Sequence, residues 1–201
     1  MSKVKICGIR RPEDIEYINE LQPDYMGFVF AKSKRRIDKE HAFILTKNLS
    51  ENIKKVGVFV DEDSKTVLEI AEKLKLQVLQ FHGEENQEYI DKFKGYEIWK
   101  ALRINNSESI SQIRNYTCDK FLLDNSIAGS GEKFDWNLIK EKIQGASIML
   151  AGGLTNKNVE QGILQLKPYG VDVSSGVETD GFKDYKKIKD FIRKVRKLHE
   201  G

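Results

Sequence analysis

Apolar residues along this chain fall into two alternating rhythms. Short, nearly unbroken apolar runs come first: Val4 to Cys7, Tyr25 to Phe30, Val56 to Val60, and Val78-Leu79-Gln80-Phe81-His82. They continue with Glu97 to Leu102, Lys120 to Asp124, Ser147 to Ala151, and Gly170-Val171-Asp172-Val173. Runs of this length and character read as strands covered on both faces. Between them apolar residues recur at helical spacing: Ile15, Ile18 and Leu21, then Ala42, Leu45 and Leu49, then Val67, Leu68, Ala71 and Leu74. Tyr89, Ile90 and Phe93 mark a fourth helix, Ile110 and Ile113 a short one, and Trp136, Ile139 and Ile143 a sixth. Val159, Ile163 and Leu166 and then Ile188, Phe191, Ile192 and Val195 complete the set. Arg11-Pro12-Glu13-Asp14 carries the proline and acids of a helix start, and Asp135 and Thr155 stand as N-caps.

The pattern amounts to eight strand–helix units. Each is roughly 20–30 residues long, too short for a separate domain and too regular for chance. A helical crossover returns each strand to the same end, so the strands run parallel. Eight such units close into a (β/α)8 barrel, and the chain sits near the lower limit of that fold, roughly 200 residues. The expected architecture is α/β, one barrel domain over residues 1–201 with no internal boundary. An open doubly wound sheet is the runner-up, and no G-x-G-x-x-G follows the first strand to support it.

Composition narrows the function classes. Net charge is +3 over 201 residues, 32% are charged, and no run of five or six like charges occurs. Neither a nucleic-acid groove nor an acidic tail is indicated. The basic C-terminal stretch alternates Lys and Arg with apolar residues, as a solvated helix face does. No window reaches the apolar length of a membrane span, and no apolar segment opens the chain as a secretion signal would. Cys7 and Cys118 form no metal-spaced or C-x-x-C pattern, and the three histidines are scattered. The expectation is a cytoplasmic protein with no metal, bound to neither nucleic acid nor membrane.

In such a barrel the chemistry lies at the carboxyl ends of the strands. The residues there are Cys7, the loop Ser33-Lys34-Arg35-Arg36, Asp61, His82, Arg103, Asp124, Gly152-Gly153 and Ser174-Ser175-Gly176. The last two clusters follow strands seven and eight, where barrels often hold a phosphate on backbone N–H groups and a helix N-terminus. The same glycines would also serve as plain strand-to-helix turns. Cys7 faces either a packed interior or a cleft, and the polar ends of the other strands favour the cleft. Lys5, two residues back on the same face, is expected to lower the thiol pKa, which suits a base or nucleophile. Cys118 reads as structural. Asp124 closes an apolar strand, where a carboxyl tends toward a raised pKa and general-acid work, or else serves as a loop cap.

Taken together these segments resemble the phosphoribosylanthranilate isomerase family of tryptophan biosynthesis. The resemblance rests on Lys5-Ile6-Cys7-Gly8, Gly27-Phe28-Val29-Phe30 with Ser33-Lys34-Arg35, and Val56-Gly57-Val58-Phe59. It continues through Gln80-Phe81-His82-Gly83, Leu123-Asp124, Gly129-Ser130-Gly131 and Phe134-Asp135-Trp136. Gly152-Gly153-Leu154 and Val171-Asp172-Val173-Ser174-Ser175-Gly176-Val177-Glu178 complete it. The resemblance implies a cofactor-free Amadori rearrangement of N-(5-phosphoribosyl)anthranilate to 1-(2-carboxyphenylamino)-1-deoxyribulose 5-phosphate. It implies Asp124 as general acid, Cys7 as general base, and Arg35 as partner of the anthranilate carboxylate. Gly152, Gly153, Ser174, Ser175 and Gly176 then match the phosphate cradle, and His82 is a binding residue without an assigned role. The family includes monomers and homodimers, and the sequence does not choose between them.

The chain departs from the family pattern in the loop after strand two, which is about one residue shorter than the motif and carries Ala31-Lys32 where an aromatic and a proline are common. Arg36 adjoins Arg35 as an alternative contact, Arg103 is a further anion contact, and Asp172 points either into the barrel or toward the site. Two other readings share the phosphate cradle: a different sugar-phosphate enzyme, such as an epimerase or synthase, and a silent phosphosugar-binding protein. Neither calls for the Cys7/Asp124 pair.

Overall fold

The computed structural model describes residues 1–104, 109–124, 143 and 145–198. The expected helix through Trp136 and Ile139, its Asp135 cap, and the segments Gly129-Ser130-Gly131 and Phe134-Asp135-Trp136 lie outside the described residues.

Eight parallel strands close into a barrel in chain order. They are β1 (Lys3–Cys7), β2 (Tyr25–Val29), β3 (Lys54–Phe59), β4 (Val78–Phe81), β5 (Glu97–Arg103), β6 (Lys120–Asp124), β7 (Ile148–Ala151) and β8 (Gly170–Val173). Closure is made by β1 pairing with β8, Lys5 opposite Asp172. The (β/α)8 expectation is met, and closure excludes the open sheet.

The helices form where the apolar spacing places them. Helix Ser64–Leu74 starts at Asp63, whose carboxylate accepts the N–H of Thr66, and buries Val67, Ile70, Ala71 and Leu74. Pro12 opens helix Pro12–Leu21, and Asp14 accepts the N–H groups of Arg10 and Arg11 at 3.0 and 3.1 Å. Those contacts fix the chain just after Cys7. Helix Tyr185–Lys197 buries Ile188, Phe191, Ile192 and Val195 and turns most of its Lys and Arg outward. Two expected helices are shorter: Gln87–Ile90 is one turn, and Ser109–Asn115 is 3-10. The helix Val159–Leu166 begins later than expected, at Asn158, because Asn158 Oδ1 accepts the N–H of Thr155 and turns that stretch into a separate turn. A feature not foreseen is a two-stranded hairpin, β9 (Glu178–Thr179) and β10 (Phe182–Lys183), inserted before the last helix. Its turn is Asp180-Gly181, both at positive φ (52° and 78°), the backbone that two-residue hairpins require.

Side chains alternate across each strand, which makes two apolar layers. Outward residues pack under the helices as the larger cluster. Inward residues Tyr25, Val56, Val78, Trp99, Ala101, Leu122, Met149 and Ala151 form a second, separate cluster that fills the barrel. Toward the carboxyl ends the interior changes character: Lys5, Gln80 and Asp172 are buried there. An apolar plug beneath a polar layer is what a pocket at this end needs. Among the described residues no helix is long and apolar enough to cross a membrane. Cys118 lies off this layer, and burial pushes its thiol up to about 11, which leaves it an inert packing residue.

Candidate active site

A cavity of about 360 Å³ opens at the carboxyl ends of the strands. Cys7, Arg35, His82, Asp124, Gly152, Gly153, Ser174 and Ser175 all line it, with Gln80 and Asp172 below. Strand β1 carries Cys7 and β6 carries Asp124, three places apart one way around the ring and five the other. The thiol and the carboxyl therefore enter from opposite walls.

Cys7 is 8% exposed. Burial is the largest influence on it and pushes its pKa up, the Lys5 cation pulls it down, and Asp172 pushes it up again, so the net direction is upward. The expected lowering by Lys5 is corrected on this point: the cation is there, but desolvation outweighs it. Lys5 is itself fully buried, 2.9 Å from Asp172 Oδ2. Burial opposes its charge, yet the Asp172 carboxylate and the Cys7 sulfur together hold its pKa above the ordinary lysine value. Asp172 serves both of the alternatives left open by the sequence, since it pairs with Lys5 inside the barrel and lines the cavity. Its second oxygen, Oδ1, is buried without a hydrogen-bond partner among the described residues. Gly27 makes room for this cluster: a Cβ there would lie 2.9 Å from Cys7 Sγ and 3.1 Å from Lys5 Cε.

Asp124 Oδ2 lies 3.1 Å from His82 Nε2, and His82 Nδ1 lies 3.3 Å from Gln80 Nε2. With the Gln80 amide donating to Nδ1, the imidazole proton sits on Nε2 and points at the carboxylate. The wall behind His82 is stiffened by buried Glu85, which accepts the N–H groups of Asp61 and Gly83, each at 2.9 Å, and pairs with Lys100 at 2.9 Å. Asp61 is absorbed in that wall, accepting the N–H of Glu84 at 2.7 Å.

One side of the rim is built from two loops. Gly152 and Gly153 have φ of +82° and +62°, a backbone open to few other residues. Ser174 and Ser175, on the loop after the neighbouring strand β8, line the cavity beside them. Gly176 plays a different part from the one expected. It does not line the cavity; a Cβ on it would lie 1.8 Å from Leu154 O, so it is the point where the two loops touch. The stretch after β8 also continues as a 3-10 turn, Ser175–Val177, rather than leading straight into a helix. Of the two arginines in the β2 loop, Arg35 lines the cavity and Arg36 is exposed outside it. Arg103 is exposed at the end of β5 and is not among the cavity residues.

Sequence reading gave no role to Glu178 or Lys183. Glu178 Oε1 and Oε2 accept from Arg35 Nε and Nη2, each at 2.7 Å, and Oε1 also accepts from Lys183 Nζ at 2.7 Å. The available signal was the Asp180-Gly181 turn, which folds Lys183 back beside Glu178.

A thiol, a carboxyl with its histidine, a carboxylate-matched arginine and a backbone cradle define a (β/α)8 barrel fitted for proton transfer on a small anionic substrate. The comparisons with known proteins give the particular family. Residues 4–194 match the N-(5'phosphoribosyl)anthranilate (PRA) isomerase family, and the chain belongs to it. It is 54% identical over 200 residues to N-(5'-phosphoribosyl)anthranilate isomerase of Caldanaerobacter subterraneus subsp. tengcongensis, covering 98% of each chain. To the enzyme of the same name from Clostridium acetobutylicum it is 51% identical, covering 98% of this chain and 100% of the other. Among solved structures, phosphoribosyl anthranilate isomerase from Thermotoga maritima superposes with a TM-score of 0.89 at 38% identity, covering 98% of this chain and 100% of that one. A phosphoribosyl anthranilate isomerase in complex with reduced 1-(o-carboxyphenylamino)-1-deoxyribulose 5-phosphate gives 0.87 at 36% identity with the same coverage.

Proposed function

We propose that the protein isomerises N-(5-phosphoribosyl)anthranilate to 1-(2-carboxyphenylamino)-1-deoxyribulose 5-phosphate, a step of tryptophan biosynthesis, by general acid–base catalysis. The observation that carries this reading is the placement of Cys7 and Asp124 on opposite walls of one cavity that Gly152, Gly153, Ser174 and Ser175 also line. Asp124 protonates the furanose ring oxygen; the C1–O bond breaks and a Schiff base forms. The Cys7 thiolate removes the proton from C2, and the C–H electrons neutralise the iminium as an enolamine. Loss of the enol O–H proton and gain of a proton at C1 complete the aminoketone. Atoms balance without redox or an added group.

The other residues bind. Gly152, Gly153, Ser174 and Ser175 hold the phosphate, with Gly176 setting the distance between their loops. Arg35 takes the anthranilate carboxylate. His82 donates to Asp124 and holds it for the ring oxygen, and Asp172 Oδ1 offers a free acceptor to a sugar hydroxyl. The test is to form the labile substrate from anthranilate and phosphoribosyl pyrophosphate with a transferase and follow loss of its fluorescence. Acceleration by this protein supports the reading; decay at the uncatalysed rate overturns it. We further propose that the chain works as one barrel domain in the cytoplasm, as a monomer or homodimer.

A further inference from the structure

Arg35 does not hang free in the cavity. Its stem crosses Gly8, whose φ is +83° and where a Cβ would lie 2.6 Å from Arg35 Cδ. Its guanidinium meets Glu178 edge-on through Nε and Nη2. Of the five N–H donors of an arginine this uses two, and the three left over lie on Nη1 and the outer side of Nη2. Glu178 is fixed in turn. Its side chain is 8% exposed and that of Lys183 1% exposed, and their contact is 2.7 Å. Lys183 Nζ also donates to Ser174 O at 3.0 Å, and Ser174 Oγ donates to Cys7 O at 3.0 Å. Lys187 Nζ holds the Glu178 carbonyl at 2.6 Å. The hairpin that carries these residues is tied to the arginine loop by Arg10, which donates to Lys34 O at 3.0 Å and Gly181 O at 2.7 Å. Arg35 and Lys183 both donate to the one Glu178 carboxylate, and burial lowers the pKa of Lys183.

We propose that Glu178, backed by Lys183, is a positioning residue. It clamps one edge of Arg35 so that the free edge meets an aryl carboxylate, and in this way sets preference for a substrate carrying that group. The proposal rests on the function proposed above. An unclamped arginine keeps its charge but loses its direction, so removing the clamp weakens recognition of the carboxylate and leaves the rest of the ligand alone. Without the carboxylate Glu178 has nothing to select.

The experiment measures dissociation constants of two ligands by calorimetry: reduced 1-(2-carboxyphenylamino)-1-deoxyribulose 5-phosphate, and the same compound without the ring carboxyl. Wild type is expected to prefer the first by tenfold or more, roughly the worth of a charge-assisted contact. Glu178→Gln is expected to lose most of that preference while binding the second ligand as wild type does. Arg35→Ala should lose all of it, and adding Glu178→Gln to Arg35→Ala should change nothing further. Glu178→Asp, which keeps the charge on a shorter stem, should restore part of the preference. If Glu178→Gln does not fold, Arg35→Lys reads the same point: it keeps the cation, cannot hold the two-point contact, and should discriminate poorly. Undiminished discrimination in Glu178→Gln or, failing that, in Arg35→Lys overturns the proposal alone, as does equal weakening of both ligands. Wild type that binds neither ligand overturns the functional reading, and the proposal with it.

Discussion

Lys5 Nζ lies 2.9 Å from Asp172 Oδ2 beneath the cavity, with the lysine fully buried and the Cys7 sulfur as its other neighbour. A buried pair contributes little net stability when intact, but breaking it strands a charge. Lys5→Met should therefore cost about 3–5 kcal/mol in denaturant unfolding. Lys5→Met combined with Asp172→Leu should recover much of that stability while activity stays low. Full stability in the single variant would show that the pair is not charged.

The thiol's pH dependence follows from its surroundings. Burial, partly offset by Lys5, raises the Cys7 pKa above its ordinary value. If the thiolate is the base, kcat/KM rises with pH through neutrality and levels off only above the pKa of an ordinary cysteine. A profile already flat at neutral pH would mean that the thiolate is not the limiting form.

Glu178 carries the opposite sign. Burial pushes its pKa up, but the hydrogen bonds from Arg35 and Lys183 outweigh burial and hold it below the ordinary glutamate value. Its folded pKa lies below the unfolded one, about 4.3. The stability it contributes is therefore present above that unfolded value and lost as pH falls through the folded one. Melting temperature against pH should fall more steeply on the acid side in wild type than in Glu178→Gln. Parallel curves would contradict the pairing.

Two glycines test packing around the site. Gly27→Ala places a methyl 2.9 Å from Cys7 Sγ at a backbone conformation alanine tolerates, so activity should fall with a modest stability loss, about 1–3 kcal/mol for overpacking. Gly176→Ala meets backbone at Leu154 O and must push the two rim loops apart. Affinity for inorganic phosphate should drop more in Gly176→Ala than in Gly27→Ala, and titration calorimetry with phosphate checks the order.

Strand order and site placement were legible in the sequence because buried parallel strands leave continuous apolar runs, as in Phe121-Leu122-Leu123, and end in polar residues at one rim. That logic named Cys7, the loop holding Arg35, His82, Asp124, Gly152, Gly153, Ser174 and Ser175, which line one cavity, but also Asp61, Arg103 and Gly176, which do not; only the family resemblance singled out Arg35 from its loop. The direction of the Cys7 pKa was not legible, since it depends on how deeply Gly27 lets the sulfur sit. Nor was the Arg35–Glu178–Lys183 chain, whose members are up to 148 residues apart and meet only once the barrel closes β8 onto β1. Gly176 looked like a cradle residue because tight turns and close loop contacts call for the same amino acid.

The pairing of Cys7 with Asp124 is tested most directly by single-turnover decay of substrate fluorescence in Cys7→Ser and Asp124→Asn, with phosphate affinity measured alongside. The account predicts that each variant loses roughly 10²–10⁴-fold in rate, as expected for removing a general acid or base, while phosphate still binds. Decay near the wild-type rate in either variant would remove that residue from the reaction and contradict the account.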